Sequence, residues 1–166
     1  MGESELSLAL PDEAALTALA GRVAVAWRHG CAGLALSVGL RGVLGAGKTA
    51  WVRAMLRGLG YSGRVPSPTY TLMEVYEIDD ISLIHIDFYR ISDDRELEQL
   101  GLRDWLGRPG CWLLAEWPQR LPGWLAGCDV VVELRIDAAQ ARRLVWTAQT
   151  EPGRVCVAGV REAMAQ

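Results

Sequence analysis

Hydrophobic and polar positions predict an alternation of strands and helices in the first part of the chain. Residues 6–10 alternate and predict a short strand that ends at Pro11. Pro11 and the two acids after it are typical of a helix start, because proline and negative charge both suit a first turn. Apolar residues continue at helical spacing to about Arg28. The apolar run LALSVGL, residues 34–40, then predicts a strand buried on both faces, as in a parallel sheet.

The rest of the chain shows the same two kinds of pattern. Helical spacing marks TAWVRAMLRGL and SDDRELEQLGL, at residues 49–59 and 92–102. Strands are predicted for TLMEVYEI, SLIHIDFY and CWLLAEW. The last three apolar runs, DVVVELRI, ARRLVWTAQT and GRVCVAG, predict antiparallel strands, because their connections are too short for crossover helices. Together these elements predict one α/β domain over residues 1–166, a mixed sheet flanked by helices with antiparallel strands near the C-terminus.

Composition and charge narrow the class of protein. With 51% hydrophobic and 22% charged residues, the chain matches ordinary globular proteins, and 166 residues suit one domain. The 17 basic and 20 acidic residues give a net charge of -3. This balance argues against a domain that grips nucleic acid by itself, but not against one that acts on nucleic acid within a complex.

Cysteines and apolar stretches indicate the compartment. The four cysteines form no CxxC pair, so reduced thiols of a cytosolic protein are a simpler interpretation than zinc ligands or disulfides. The N-terminal segment carries acids where a signal peptide needs basic residues. The apolar stretch 31–40 is about half as long as a bilayer-spanning helix. We therefore expect a soluble, cytoplasmic protein with no membrane partner.

The stretch LRGVLGAGKTAW carries the clearest chemical signal. Gly42, Gly47, Lys48 and Thr49 match the phosphate-binding loop G-x-x-x-x-G-K-[ST], and Gly45 adds a further glycine. Residues without a Cβ let consecutive N–H groups curl around a phosphate oxygen, to which the start of the next helix adds its positive end. The lysine reaches the β- and γ-phosphates, and the threonine holds Mg²⁺. A glycine turn that carries GK by chance is the alternative, but the preceding strand and following helix favour a fold like that of P-loop NTPases.

Two strands end in carboxylates that can complete such a site. Asp87 ends LIHID and Glu116 ends LLAEW, and both are expected at the carboxyl edge of the sheet, where open α/β folds bind ligands. A phosphate loop needs an anionic ligand to hold the metal and to position water. Either residue alone can equally be a solvated acid at a strand end. The pattern does not decide which of the two contacts the metal.

Other residues near these motifs have ordinary explanations. The loop SPTYT, residues 67–71, lies where nucleotide switches occur in P-loop proteins, but its composition alone favours a proline turn. A histidine in an apolar strand, such as His85, is more often a structural hydrogen-bonding residue than a catalytic one. Trp117, beside Glu116, is interpreted as a packing residue.

In combination, these motifs resemble one family. The stretches GVLGAGKT, VPSPTYTLMEVYE, HIDFYRISDDRELEQLGLRDWL and LLAEWPQRLP are similar to those of the TsaE family. Its members are small P-loop ATPases that bacteria need to make threonylcarbamoyl-adenosine in tRNA. The resemblance implies that the chain hydrolyses ATP to reset the TsaB–TsaD enzyme pair between rounds of threonylcarbamoyl transfer. It also implies that the chain acts on tRNA indirectly, through that complex.

The resemblance implies roles for individual residues. The phosphates of ATP are held by a cradle that contains Gly42, Gly45, Ala46, Gly47 and Lys48. By the same resemblance, Mg²⁺ is bound by Thr49 and Glu116, and Asp87 is the essential acid of H-x-D-x-Y-R. Lys48, Asp87 and Glu116 are thus the implied catalytic residues.

Further contacts with ATP follow from the same resemblance. Thr69 lies in the loop that resembles a switch. Pro11, in the region that extends to Glu13, and Arg142 match places where the family also contacts ATP. Together with Thr49 and Ala50, which follow Lys48, these residues complete the set that the resemblance assigns to the nucleotide.

Two positions depart from the family pattern G-D-L-G-A-G-K-T-T. The aspartate is replaced by Val43, which removes a carboxylate beside the γ-phosphate and so bears on hydrolysis or on coupling to a partner. The second threonine is replaced by Ala50, which removes a hydroxyl that can reach the α-phosphate. We expect the second change to weaken ATP binding by about one neutral hydrogen bond.

The leading prediction is Mg²⁺-dependent ATP hydrolysis within a tRNA-modifying complex. One alternative is a small-molecule kinase, which needs an acceptor pocket and commonly an arginine-rich lid, and the chain has no long insertion to supply one. The other alternative is a nucleotide-dependent binding module in which Val43 has reduced catalysis.

Overall fold

The computed structural model describes residues 4–137 and 139–165, so the ends of the predicted domain and Ala138 lie outside the described residues. Its strands are β1 (Glu5–Leu10), β2 (Leu36–Arg41), β3 (Met73–Ile78), β4 (Ile81–Asp87), β5 (Cys111–Glu116), β6 (Val130–Ile136) and β7 (Arg142–Ala148). Its α-helices are α1 (Glu13–Cys31), α2 (Lys48–Gly58), α3 (Asp94–Gln99), α4 (Pro122–Ala126) and α5 (Glu151–Ala165).

All seven described strands form a single mixed sheet in the order β1-β7-β6-β2-β5-β4-β3. The four central strands β6, β2, β5 and β4 are parallel, whereas β7 is antiparallel to both β6 and β1. The edge strand β3 is antiparallel to β4. The predicted fold class, a mixed α/β sheet with antiparallel strands near the C-terminus, is confirmed.

One predicted strand is wrong. The segment GRVCVAG, residues 153–159, lies within helix α5. Its valines and short apolar run satisfy a strand pattern over seven residues. The buried positions of α5 nevertheless recur at helical spacing along the whole helix: Gly153, Cys156, Val157, Gly159, Val160 and Ala163. Contact with α1 favours the helix, because Trp27 of α1 donates a hydrogen bond from Nε1 to the Cys156 carbonyl at 2.9 Å.

The core lies on both faces of the sheet. Alternate residues of β4 and β5 belong to two separate apolar clusters, as the period of a strand requires. The larger cluster joins one face to α1, α2 and α5, and the smaller cluster joins the other face to α3 and α4. Leu83 and Leu114 face the larger cluster, so His85, Asp87 and Glu116, at two-residue steps from them, point to the side of α2.

Helices α1 and α2 are in close contact at the end of α2 that is far from the glycine loop. A Cβ added to Gly58 would lie 2.4 Å from the carbonyl oxygen of Gly21. Glycine at residue 58 therefore sets how closely α2 packs on α1. Among the described residues, no helix is both long enough and apolar enough to cross a membrane.

Candidate functional site

The segment 42–47, here called the glycine loop, connects β2 to α2. Gly42 and Gly47 have φ values of 150° and 107°, which side chains rarely adopt. Added Cβ atoms at these two positions would lie 2.5 Å from Leu134 O and 2.5 Å from Leu16 Cδ2, respectively. Both glycines are therefore required by the path of the backbone and by the packing around it.

The N-terminus of α2 is open to an anion. In α1 the side chain of Asp12 caps the helix by accepting from Ala15 N at 2.8 Å, and Asp93 caps α3 in the same way. By contrast, Gly47 precedes α2, and no side chain caps this helix within the described part of the chain. Its first N–H groups and its positive end are thus available for a phosphate oxygen.

Lys48 is held against the glycine loop. Its ammonium donates to the carbonyl oxygens of Gly42 and Val43 at 2.8 and 2.9 Å. Only 4% of Lys48 is exposed, and Nζ lies 4.1 Å from the centroid of the Trp117 ring. Burial lowers the pKa of Lys48, although the negative charges of Glu116 and Asp87 act in the opposite direction.

Glu116 accepts two hydrogen bonds on one oxygen. Thr49 Oγ1 and His85 Nε2 each donate to Glu116 Oε1 at 2.7 Å. Burial acts to raise the pKa of Glu116, but the hydrogen bonds from His85 and Thr49 and the charge of Lys48 outweigh it, so that this pKa is lowered. Glu116 is therefore an ionised carboxylate held in one orientation.

Asp87 lies beside Glu116 in a different environment. The two residues are partners in the parallel register of β4 and β5. Burial is the main cause that raises the pKa of Asp87, and the charge of Glu116 adds to it, while the Tyr89 N–H, at 2.8 Å from Oδ1, acts against both. One carboxylate is thus suited to hold a cation and the other to accept a proton.

These side chains surround a cavity of about 430 Å³, here called the loop cavity, at the carboxyl edge of the sheet. Eight of the residues predicted for the site line it: Gly45, Gly47, Lys48, Thr49, Ala50, Thr69, Asp87 and Glu116. Ser67 and Thr69 share a hydrogen bond of 2.7 Å and both face the cavity, so the SPTYT loop forms one of its walls.

Four predicted residues do not line the loop cavity. Gly42 lies behind it, where its carbonyl oxygen accepts from Lys48, and Ala46 is a fully buried residue of the glycine loop. Pro11 is exposed just before α1. Arg142 is buried and donates to Glu13 Oε2 at 3.2 Å, and it is Glu13 that lines the cavity.

Several lining residues were not selected from the sequence. They are Leu44, Ser67, Tyr89, Arg90 and Trp117, whereas Glu13 belongs to the region from Pro11 to Glu13 that the resemblance places near ATP. Tyr89, Arg90 and Trp117 directly follow the ends of strands that supply the carboxylates, and this position is the signal that could have identified them. Trp117 is not only a packing residue, since its ring faces the ammonium of Lys48.

The donor set suits Mg²⁺ bound together with a polyphosphate. The Thr49 hydroxyl and the Glu116 carboxylate meet at 2.7 Å, and Asp87 is the next carboxylate along the sheet edge. Residues 4–137 and 139–165 contain no group of three or more His, Cys, Asp or Glu side chains that could form a metal cage. Mg²⁺ does not need such a cage, because it is usually held by one or two carboxylates, waters and substrate phosphates.

Comparisons with known proteins agree on one family. The sequence model of the family described as "Threonylcarbamoyl adenosine biosynthesis protein TsaE" matches residues 10–145. The tRNA threonylcarbamoyladenosine biosynthesis protein TsaE of Haemophilus influenzae is 42% identical over 120 residues, 72% of this chain and 75% of that protein. The Bacillus subtilis protein of the same name is 33% identical over 109 residues, 66% of this chain and 67% of its own.

One crystal structure shows the same fold. It is that of Bacillus subtilis YdiB, which superposes with a TM-score of 0.74 at 22% identity. The superposition covers 95% of this chain and 95% of that one. At this level of identity the likeness concerns the fold alone.

Proposed function

Because the chain belongs to the TsaE family, we propose that it acts in the biosynthesis of threonylcarbamoyladenosine in tRNA as a Mg²⁺-dependent ATPase. The observation that carries this proposal is the convergence of four side chains on one cavity. Lys48 and Thr49 come from the start of α2, Asp87 from the end of β4, and Glu116 from the end of β5. This set contains the parts that phosphoryl transfer from a nucleoside triphosphate requires.

Each side chain has a separate task in the proposed reaction. The glycine loop and the α2 N-terminus bind the phosphates, and Lys48 neutralises charge on the transferring phosphoryl group. Thr49 and Glu116 hold Mg²⁺, which when bound supplies further neutralisation of the phosphate charge. Asp87 accepts a hydrogen bond from the attacking water, and its raised pKa makes it a better proton acceptor than an ordinary aspartate. Water oxygen attacks the γ-phosphorus, the bond to the bridging oxygen breaks, and ADP and phosphate result.

Apolar residues around the loop cavity support action within a complex. Leu44 and Val43 on the glycine loop are 86% and 64% exposed. Tyr70, 84% exposed, packs on Arg90 at the cavity wall, and Tyr89 is 51% exposed. Exposed apolar groups concentrated around one opening are typical of a surface that another protein covers. We assign this surface to the TsaB–TsaD pair, through which the chain would act on tRNA.

A nucleotide-dependent binding module is the second candidate. Val43 supports it, because the glycine loop carries an exposed valine where a carboxylate could assist hydrolysis. In that case ATP would bind and promote assembly with the partners without being cleaved.

The decisive experiment measures ATP cleavage and assembly together. Purified full-length chain is mixed with radiolabelled ATP and Mg²⁺, with and without a TsaB–TsaD pair, and the mixture is analysed for phosphate release and by native mass spectrometry. We expect phosphate release that requires Mg²⁺ and increases with the pair. Bound but uncleaved ATP identifies the binding module. In a parallel mixture that contains a small-molecule extract as acceptor, transfer of the label to a metabolite instead of its release as phosphate identifies a kinase. The absence of a complex in every nucleotide state removes the proposed role in the pathway.

A further inference from the structure

Trp117 has an unusual backbone conformation at the edge of the loop cavity. Its φ and ψ angles are 60° and 43°, in the left-handed region that bulky residues rarely occupy. The next residue is Pro118, which restricts the backbone of Trp117 further. The conformation is held by hydrogen bonds on both sides, from Trp117 N to Leu40 O at 3.2 Å and from Arg120 N to Trp117 O at 3.0 Å. Strain of this kind concentrates at functional sites, where the fold maintains it.

This conformation directs the indole toward the ammonium of Lys48. The ring centroid lies 4.1 Å from Nζ, well within the range of a cation–π interaction. The indole also packs against the ring of Tyr89, whose centroid lies 5.1 Å away at a tilt of 57°. The ring therefore has a fixed position, and it adds a third contact to the carbonyl acceptors of Gly42 and Val43.

We propose that Trp117 is a positioning residue for Lys48, whose indole face holds the ammonium at the phosphate end of the loop cavity before a nucleoside triphosphate binds. A lysine side chain has four rotatable carbon–carbon bonds, and fixing it only when the ligand arrives reduces affinity. Two of the three ammonium donors are used by the loop carbonyls, which leaves one for a phosphate oxygen. The inference rests on the proposed function, because it names the triphosphate as the ligand of this ammonium.

The sequence makes the first test unusually direct. Lys48 is the only lysine among the 17 basic residues, so lysine labelled with ¹⁵N at Nζ gives one ammonium signal in the full chain. We expect this signal to be shifted by the ring current and protected from fast exchange in the nucleotide-free protein. In Trp117→Leu both properties are lost, and in Trp117→Phe they are partly kept. An ammonium signal that is the same in the wild type and in Trp117→Leu overturns the inference without reference to ATP.

The second test changes the ring electronically without changing its shape. Fluorinated tryptophans placed only at residue 117 weaken the negative potential on the ring face stepwise. Because the ring keeps its shape, this test does not depend on a substitution that can unfold the protein. We expect Mg-ATP affinity to fall progressively with fluorine count, and Trp117→Leu to bind about 5- to 30-fold more weakly, as one cation–π contact in a desolvated site implies. In the Lys48→Ala background the same changes have no effect.

The outcomes separate the two proposals. Equal affinity throughout the fluorinated series, or equal losses with and without Lys48, shows that Trp117 acts only through packing and overturns the inference. If the wild-type chain binds no Mg-ATP while the ammonium signal still depends on Trp117, the positioning contact stands and the proposed function fails.

Discussion

Asp87 and Glu116 are paired in register on neighbouring strands, yet their pKa values are displaced in opposite directions. The difference lies in the hydrogen bonds. Glu116 accepts from a hydroxyl and an imidazole on one oxygen, whereas Asp87 accepts only the Tyr89 N–H among the contacts described above. Equivalent positions on one sheet edge therefore provide two chemically different carboxylates, one for a cation and one for a proton.

Glu116 is expected to be essential for turnover but not for folding. Replacement by alanine removes the carboxylate of the proposed Mg²⁺ site, and we expect phosphate release to fall at least ~100-fold, as for loss of a group that stabilises the transition state. Glu133→Ala, at a half-buried position on β6, is the matched control. The measurement is phosphate release against Mg²⁺ concentration, with circular dichroism to verify the fold. Full ATPase activity in folded Glu116→Ala protein would show that the assignment is wrong.

Ionised Asp87 is expected to lower the free energy of unfolding at neutral pH. The pKa of Asp87 is raised in the folded state, so protonation of Asp87 stabilises the fold. This stabilisation is complete below the ordinary aspartate pKa, and it is lost as pH rises through the raised pKa. Asp87→Asn should therefore unfold at higher urea concentration than the wild type at pH 7, and this gain should disappear in acid. A gain that is equally large at low pH contradicts the mechanism.

The rate of ATP hydrolysis should depend on pH in the opposite sense to the stability contribution of Asp87. The proposed water-orienting role needs ionised Asp87, so phosphate release should decline as pH falls through the raised pKa. Asp87→Asn should lack this acidic limb and retain only a low, pH-independent rate. The measurement is the rate of phosphate release at a series of pH values between 4.5 and 8. If Asp87→Asn keeps the same decline at acidic pH, the decline belongs to a group other than Asp87.

Lys48 is expected to be required for binding of the triphosphate. Its ammonium is buried beside the α2 N-terminus, and truncation leaves the phosphate charge without its nearest cation. We expect Lys48→Ala to lower Mg-ATP affinity by more than ~10-fold and to abolish hydrolysis. Calorimetric titration with ATP and with AMP distinguishes a lost phosphate contact from a general defect, because AMP binding should change little.

Val43 stands where the family pattern has an aspartate, so we expect a carboxylate at this position to change the rate of hydrolysis. The side chain is 64% exposed, so Val43→Asp can be introduced without repacking the core. We expect a higher kcat, because the acid can accept a hydrogen bond from the attacking water, and a higher KM, because it repels the triphosphate. Val43→Asn is the control of similar size without the charge. Identical kinetics of the Asp and Asn variants would exclude an effect of charge.

Gly58 is expected to control the packing of α2 on α1. A methyl group at this position would meet the Gly21 carbonyl oxygen at 2.4 Å, and the helices must separate to admit it. We expect Gly58→Ala to reduce the free energy of unfolding by ~1–3 kcal/mol, measured by urea denaturation. Gly123→Ala, where an added Cβ has no neighbour within 4 Å, should have little effect. Equal changes in both variants would indicate a general helix effect rather than a steric one.

Much of the fold and of the site was accessible from residue patterns, because the relevant signals are local. The glycine loop is recognisable from the spacing of Gly42, Gly47 and Lys48, and the ends of buried strands identify Asp87 and Glu116. The strand predicted for residues 153–159 is wrong because its short apolar run fits the period of a strand as well as that of a helix. Only the contact with Trp27 and the spacing of buried residues over the longer segment favour a helix.

Contacts between distant segments were not accessible in this way. The hydrogen bond of His85 to Glu116 joins residues 31 positions apart. The Trp117 ring reaches Lys48 because the backbone of Trp117 is left-handed, and no sequence pattern predicts that conformation. Arg142 reaches Glu13 from the far end of the chain, so its link to the loop cavity passes through a second side chain. These relationships depend on the completed sheet.

The hydrogen bond between Thr49 and Glu116 spans 67 positions of the sequence, and this separation couples ligand binding to the cooperative unfolding of the whole protein. The groups around the loop cavity extend from Glu13 at the start of α1 to Trp117 just after β5, so no shorter stretch contains the whole set. A partly folded chain therefore has no complete site, and a ligand that binds there adds RT ln(1 + [L]/Kd) to the stability of every strand at once. Midpoints of thermal unfolding should rise with the logarithm of ligand concentration, which makes the melting curve itself a binding assay for whichever nucleotide this protein prefers.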